Sequence, residues 1–233
     1  MMSALIKSKE RVRKYGEVFT PPHIVKEMLD ILETENPGIY AKADATFLEP
    51  AAGDGNFLVA ILRRKLSAMK ATMPKKLWAR ESLFVLASIY GIELLKDNWQ
   101  DSRYNMAVEF LEFHLDAGIP CGFRSNLFRA ARRLIDLNII QGNTLTGIDA
   151  FDEPITLSWW HRVTGDAGSV LVQRDPFIFN SLGDDAGMDF TQYHTYEPCR
   201  IDRVHLLEPV SLGQVQPLKV VPDSKATQIT EAA

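Results

Sequence analysis

Ile24, Val25, Met28, Leu29, Ile31 and Leu32 recur at the three- and four-residue intervals that put side chains on one face of a helix. Thr20-Pro21-Pro22 precedes them, offering an N-cap and a proline at the first helical position, so the spacing predicts a helix over 21–34. Asn36-Pro37-Gly38 ends it. Residues 45–49 read as a short buried strand running into a glycine-containing turn at 51–55. Phe57, Leu58, Ile61, Leu62, Leu66 and Met69 then mark a second helix, and a third around 76–87 leads into a strand at 88–93. Asp97 is placed to cap a long helix bearing Trp99, Met106, Phe110, Leu111 and Phe113, which closes near Gly118-Ile119-Pro120. A basic helix over about 125–135 and a strand at 137–141 follow.

Strands alternating with helices predict an α/β fold built on a parallel sheet with right-handed crossovers. Ligands in such sheets bind at the carboxyl ends of the strands. The pattern changes after residue 145, where 155–160 and 169–174 resemble two antiparallel strands around a turn at 164–168. The expected organisation is a basic arm at 1–15, an α/β domain at 16–150, a hairpin extension at 151–183 and an extended or disordered tail at 184–233.

Charge refines this picture. The net charge is −4, so nucleic-acid binding cannot be argued from the global balance, and any such surface must be local. Two local candidates exist: Lys7, Lys9, Arg11, Arg13 and Lys14 near the start, and Arg129, Arg132 and Arg133 on the basic helix. A frayed, solvated terminus and a solvated helix face are the ordinary readings of both. Cys121 and Cys199 are too few for a disulfide framework and lack zinc-site spacing, so unpaired thiols and no metal are expected. No apolar run approaches the roughly 20 residues that cross a membrane. A cytoplasmic protein without membrane association is the expectation.

Three strand ends carry candidate chemistry. In Glu49-Pro50-Ala51-Ala52-Gly53-Asp54-Gly55-Asn56-Phe57-Leu58 the glycines let the backbone turn tightly and approach a ligand, ahead of a helix amino terminus that favours anionic or polar groups. Glu93 ends the second strand after Ile92, where a carboxylate can accept two hydrogen bonds from a ribose diol; alone it would be read as a surface acid. Asn143, at the third, offers an amide to a nucleobase edge, or simply forms a turn.

Taken in order, these segments resemble the adenine-N6 DNA methyltransferase family. Gly16-Glu17-Val18-Phe19-Thr20-Pro21-Pro22 is similar to its first motif, which contacts the methionine end of S-adenosylmethionine. The stretch from Glu49 to Leu58 resembles the glycine motif, Ile89-Tyr90-Gly91-Ile92-Glu93 the motif whose acid holds the ribose, and 138–145 the motif that meets the cofactor adenine. Asn143 departs from the Asp common there, though its oxygen can accept from the adenine amine. The resemblance spans 16–145 and implies a Rossmann-like methyltransferase sheet. It also implies S-adenosylmethionine as cofactor, held by Phe19, Thr20, Pro21, Glu49, Pro50, Ala51, Gly53, Gly55, Phe57, Ile92, Glu93 and Asn143. The implied reaction is methyl transfer to adenine N6 in DNA, the chemistry of restriction-modification systems.

The same comparison exposes a gap. The family's polar-Pro-Pro-aromatic segment, which receives the flipped base, is missing; Arg174-Asp175-Pro176-Phe177 is the nearest approach, making Asp175 and Phe177 the catalytic candidates. The sheet is abbreviated, and three parallel strands would leave an edge of the first unpaired. The hairpin, or a partner subunit or second copy, is expected to cover that edge, with Trp159 and Trp160 as core. Two functions stay open: a methyltransferase acting alone or with a partner, and a catalytically inactive cofactor-binding or regulatory module.

Overall fold

The computed structural model describes residues 5–179, 188–189 and 196–207. Its elements are α1 (Lys9–Tyr15), α2 (Pro22–Glu35), β1 (Phe47–Glu49), α3 (Asn56–Thr72), α4 (Trp78–Ala87), β2 (Ile89–Glu93), α5 (Lys96–Asp116), α6 (Asn126–Asn138), β3 (Ile139–Asn143), β4 (Ile148–Asp149), β5 (Thr156–Thr164), β6 (Val170–Phe179) and β7 (Met188–Asp189).

Local chemistry sets most boundaries. Pro22 opens α2, but Pro21 holds the cap position and makes no side-chain bond, so Thr20 is not the cap. Ser125 caps α6, its hydroxyl accepting from the Phe128 amide. Asp97 does not cap α5: the helix starts at Lys96 with Leu95 at the cap, and the Asp97 carboxylate turns instead to Arg11 and Lys7. Of the six apolar residues on α2, Val25 and Leu29 are buried while Met28 and Ile31 are exposed, because this peripheral helix packs one face against α3 and Tyr40.

The main sheet has the order β1-β2-β3-β4. β1, β2 and β3 are parallel, with Glu49 opposite Gly91 and Glu93 opposite Gln141, and the short β4 adds antiparallel to β3. Helix α3 covers one face. At Gly91 a Cβ would lie 2.9 Å from Leu58 of α3, so the absent side chain lets helix and strand approach. Leu58, Leu62 and Leu134 are fully buried, each worth about 1.5–3 kcal/mol in transfer from water.

The hairpin of β5 and β6 covers the opposite face. The Tyr90 hydroxyl donates to the Ser158 carbonyl at 2.8 Å, and at Gly142 a Cβ would meet Ile155 at 2.8 Å. This corrects the expected placement: the hairpin lies across the face of the sheet, and among the described residues β1 pairs with β2 alone. Trp160 is core, as expected, whereas Trp159 is half-buried and stacks on His161. Asn138 joins the layers, its amide nitrogen donating to the carbonyls of Leu86, Ala87 and Ile89 while its oxygen accepts from Trp160 Nε1 at 2.9 Å.

Part of the expected tail is packed structure. Residues 201–206 form a 3-10 helix that buries Ile201 and Val204 against α6, and Cys199 exchanges two backbone hydrogen bonds with Val172. Apolar side chains in that stretch supply burial that its polar composition conceals. Of 184–233, only Met188–Asp189 and 196–207 are among the described residues. Cys121 and Cys199 are free thiols, and burial pushes Cys121 up to about 11. No helix among the described residues is long and apolar enough to cross a membrane.

Candidate functional site

The glycine turn is built between β1 and α3. Gly53 and Gly55 have φ of +56° and +94°, a region that L side chains rarely enter. A Cβ at Gly55 would stand 2.9 Å from the Cα of Ser102 in α5, so this glycine is required for close approach as well as for conformation. The turn is tied on two sides: the Ala52 amide donates to the Ile92 carbonyl at 2.9 Å, and the Thr144 hydroxyl donates to the Pro50 carbonyl at 2.5 Å. No side chain caps the start of α3, leaving its first amides and the positive end of the helix dipole beside the turn.

Glu93 meets this turn. It is 7% exposed, and its Oε2 accepts from the Gly53 amide at 2.7 Å while Oε1 accepts from the Leu95 amide at 2.8 Å. The Asn98 amide nitrogen reaches Oε1 only at 3.5 Å, and Asn98 Oδ1 is buried with no hydrogen-bond partner among the described residues. A carboxylate offers about four acceptor positions, so Oε2 keeps room for a further donor, and a second is accommodated if the long Asn98 contact yields. The residues present therefore suit a ligand carrying hydroxyl donors.

Phe19 closes the site from the amino-terminal side. It is buried, its ring lies 3.4 Å from the point where a Gly53 Cβ would project, and its amide donates to Leu5. Two segments far apart in sequence, around Phe19–Pro21 and Glu49–Phe57, thus converge with Glu93. Glu49 is half-buried and accepts from the Ala51 amide; burial pushes its carboxyl above the usual range. Ile92 is fully buried beneath the turn and Phe57 packs on the core. Asn143 lies beside Thr144, but its Oδ1 accepts from the Leu145 amide at 3.0 Å, the behaviour of a turn-forming asparagine.

Asp175 and Phe177 make their contacts within the hairpin rather than with the glycine turn or Glu93. Asp175 lies opposite Trp159 in the hairpin and pairs with His161 at 2.9 Å; Phe177 is core. Trp159 and His161 border a cavity of about 330 Å³ with Asp44, Thr46 and Ser88, residues ahead of or at the amino-terminal ends of β1 and β2. The glycine turn and Glu93 occupy the carboxyl ends. Whether Asp175 and Phe177 reach the turn depended on a hairpin path that periodicity does not encode.

Thr144 and Asn98 are participants that the sequence reading missed. Each was a single polar residue next to a recognised position, with no motif of its own. The basic arm also takes an unexpected role. Arg11 forms a two-pronged pair with Asp97 and bonds Glu17, while Lys7 reaches Asp97 and Asp101, docking α1 on the first turn of α5. Two of the five proposed phosphate contacts are therefore committed internally. A second cavity, about 590 Å³, lies between α2, α3 and α5 and shares Gly55 and Asn56 with the turn, but not Gly53, Glu93 or Phe19. Among the described residues no group of three or more His, Cys, Asp or Glu could hold a metal ion.

No curated protein and no solved structure matches the chain. A family model described as N-6 DNA methylase matches residues 4–126, more than half of the 233 residues. The matched stretch holds α1, α2, the glycine turn, Glu93 and α5, and ends before Asn143. With that match over the very segments that converge in space, the chain belongs to the N-6 DNA methylase family.

Proposed function

We propose that this chain binds S-adenosylmethionine at the carboxyl ends of β1 and β2 and provides the cofactor half of methyl transfer to adenine N6 in DNA. The observation that carries the reading is the meeting of Phe19, the Gly53–Gly55 turn and the Glu93 carboxylate within a family-matched stretch. Glu93 would accept from the ribose hydroxyls, the turn amides would face polar groups of the methionine end, and Phe19 would exclude water. When bound, the cofactor supplies a methyl group activated by its sulfonium. The protein's contribution is then alignment in a dry pocket, which needs little acid–base assistance.

A second reading is favoured by the position of Asp175. Because Asp175 and Phe177 are held within the hairpin, no described residue has been identified that receives the target amine in the manner of the family's polar-Pro-Pro-aromatic segment. On this reading the chain is a cofactor-binding module, inactive alone or completed by a partner polypeptide. Incubating the purified chain with methyl-labelled cofactor and mixed-sequence duplex DNA separates the two. Label in DNA supports an autonomous enzyme, cofactor binding without label supports the module, and absence of both removes the reading altogether.

A further inference from the structure

Half of the fourteen arginines of this acidic protein are bound to carboxylates. Arg11, Arg63, Arg64, Arg80, Arg103 and Arg162 each form an ion pair. Arg129, Arg132 and Arg133 of α6 and Arg203 of the 3-10 helix Ile201–Leu206 do not, among the described residues. Spacing of three and four residues puts the α6 arginines on neighbouring positions of one helix, and the packing of Ile201 and Val204 against α6 brings Arg203 alongside. Arg129, Arg132 and Arg203 are exposed and Arg133 is half-buried. His205 lies close to both Arg129 and Arg203; burial and then those two cations hold its pKa below the usual histidine range. The neighbouring acid, Asp202, is engaged by Arg200.

Four unneutralised guanidinium groups side by side repel one another and gain only when an anion meets them. Guanidinium suits phosphate because it donates in a fixed fork and sheds water easily. We propose that the joint face of α6 and the 3-10 helix Ile201–Leu206 docks the phosphate backbone of duplex DNA, positioning it without reading its sequence. Arginines about one turn apart on α6, with Arg203 alongside, fit a repeating polyanion better than a single small anion, which would need them to converge on one point. The proposal rests on the preceding reading of DNA as substrate, and it assigns a surface that shares no residue with the cofactor site.

Fluorescence anisotropy of a labelled mixed-sequence duplex tests it. With four phosphate contacts, log affinity should fall against log salt with a slope of about −3.6, roughly a 150-fold loss between 50 and 200 mM salt. The Arg129→Ala/Arg132→Ala/Arg203→Ala variant should bind at least about tenfold more weakly at 50 mM, with a slope shallower by about 2.7 and unchanged heat on titration with S-adenosylmethionine. Lys75→Ala/Lys76→Ala, a comparable loss of exposed positive charge elsewhere, should leave both quantities unchanged. Circular dichroism and thermal unfolding establish that the triple variant folds; if it does not, Arg129→Gln and Arg203→Gln singly should each shave about 0.9 from the slope. Wild-type-like binding by the folded variants would overturn the surface assignment while leaving the methyltransferase reading intact. No DNA binding by wild type would overturn both. Equal affinity for polyglutamate would replace DNA with an acidic protein and overturn the proposal.

Discussion

At the scale of single residues, Gly55 is the position with least freedom. Its φ of +94° and the 2.9 Å approach to the Ser102 backbone mean that Gly55→Ala must move α3 against α5. A left-handed backbone plus overpacking should cost about 2–4 kcal/mol, visible as a lower midpoint in urea unfolding. An unchanged midpoint would mean that the helices have slack that the packing denies. His114 makes a different prediction. It is fully buried, its Nδ1 bonded to the Phe110 carbonyl and its Nε2 to Ser82, and burial lowers its pKa from 6.5. The unfolded chain therefore binds a proton that the folded chain refuses, and stability falls as pH drops below about 6.5. Thermal midpoints measured between pH 7.5 and 5.5 should decline more steeply in wild type than in His114→Gln. These residues also mark what was hidden in the sequence. The glycine turn and Glu93 were legible because their chemistry is carried by order and spacing. Lys65 was not: a lysine on a helix reads as solvated, yet here it is fully buried, and its ammonium donates to the carbonyls of Lys42, Ala43 and Ala45. Nothing in local pattern says that three carbonyls will face it.

At the scale of elements, periodicity located α2 to α6 and the three parallel strands within a few residues, because each buries a stripe or face whose spacing is written along the chain, whereas α1 buries no residue and reads as a frayed arm. It did not say which side of the sheet the hairpin covers. Alternation fixes which side chains of β5 share a face but not what they meet, and that depends on Tyr90, Gly142 and Asn138 far away in sequence. Asn138 is the clearest of these ties. Replacing it with alanine removes a donor from the carbonyls of Leu86, Ala87 and Ile89 and the acceptor of the Trp160 indole, a loss of about 2–3 kcal/mol. Amide hydrogen exchange should accelerate chiefly in β5 and β6 while β1–β3 stay protected. Uniform acceleration over the whole chain would show that Asn138 supports the sheet rather than the junction. The docking of α1 was equally invisible, since the match of Arg11 to Asp97 and Glu17 requires α5 to be in place first.

At the scale of the molecule, one end of the sheet gathers the family-matched chemistry and its opposite face is closed by a hairpin that the family match does not reach. Charge divides similarly. The amino-terminal bases are partly spent holding α1 to α5, whereas Arg129, Arg132, Arg133 and Arg203 make no ion pair among the described residues. The central claim is narrower than either: that the turn after β1 and the acid ending β2 form one cofactor site. Isothermal titration of S-adenosylmethionine into wild type and Glu93→Gln tests it most directly, because glutamine keeps the shape but turns an amide donor toward the hydroxyls and the Gly53 amide. The account predicts a saturable heat at one cofactor per chain for wild type and an affinity at least about tenfold lower, about 1.4 kcal/mol, for the folded variant. A flat titration of folded wild type at millimolar cofactor, or equal affinity in the variant, would contradict it.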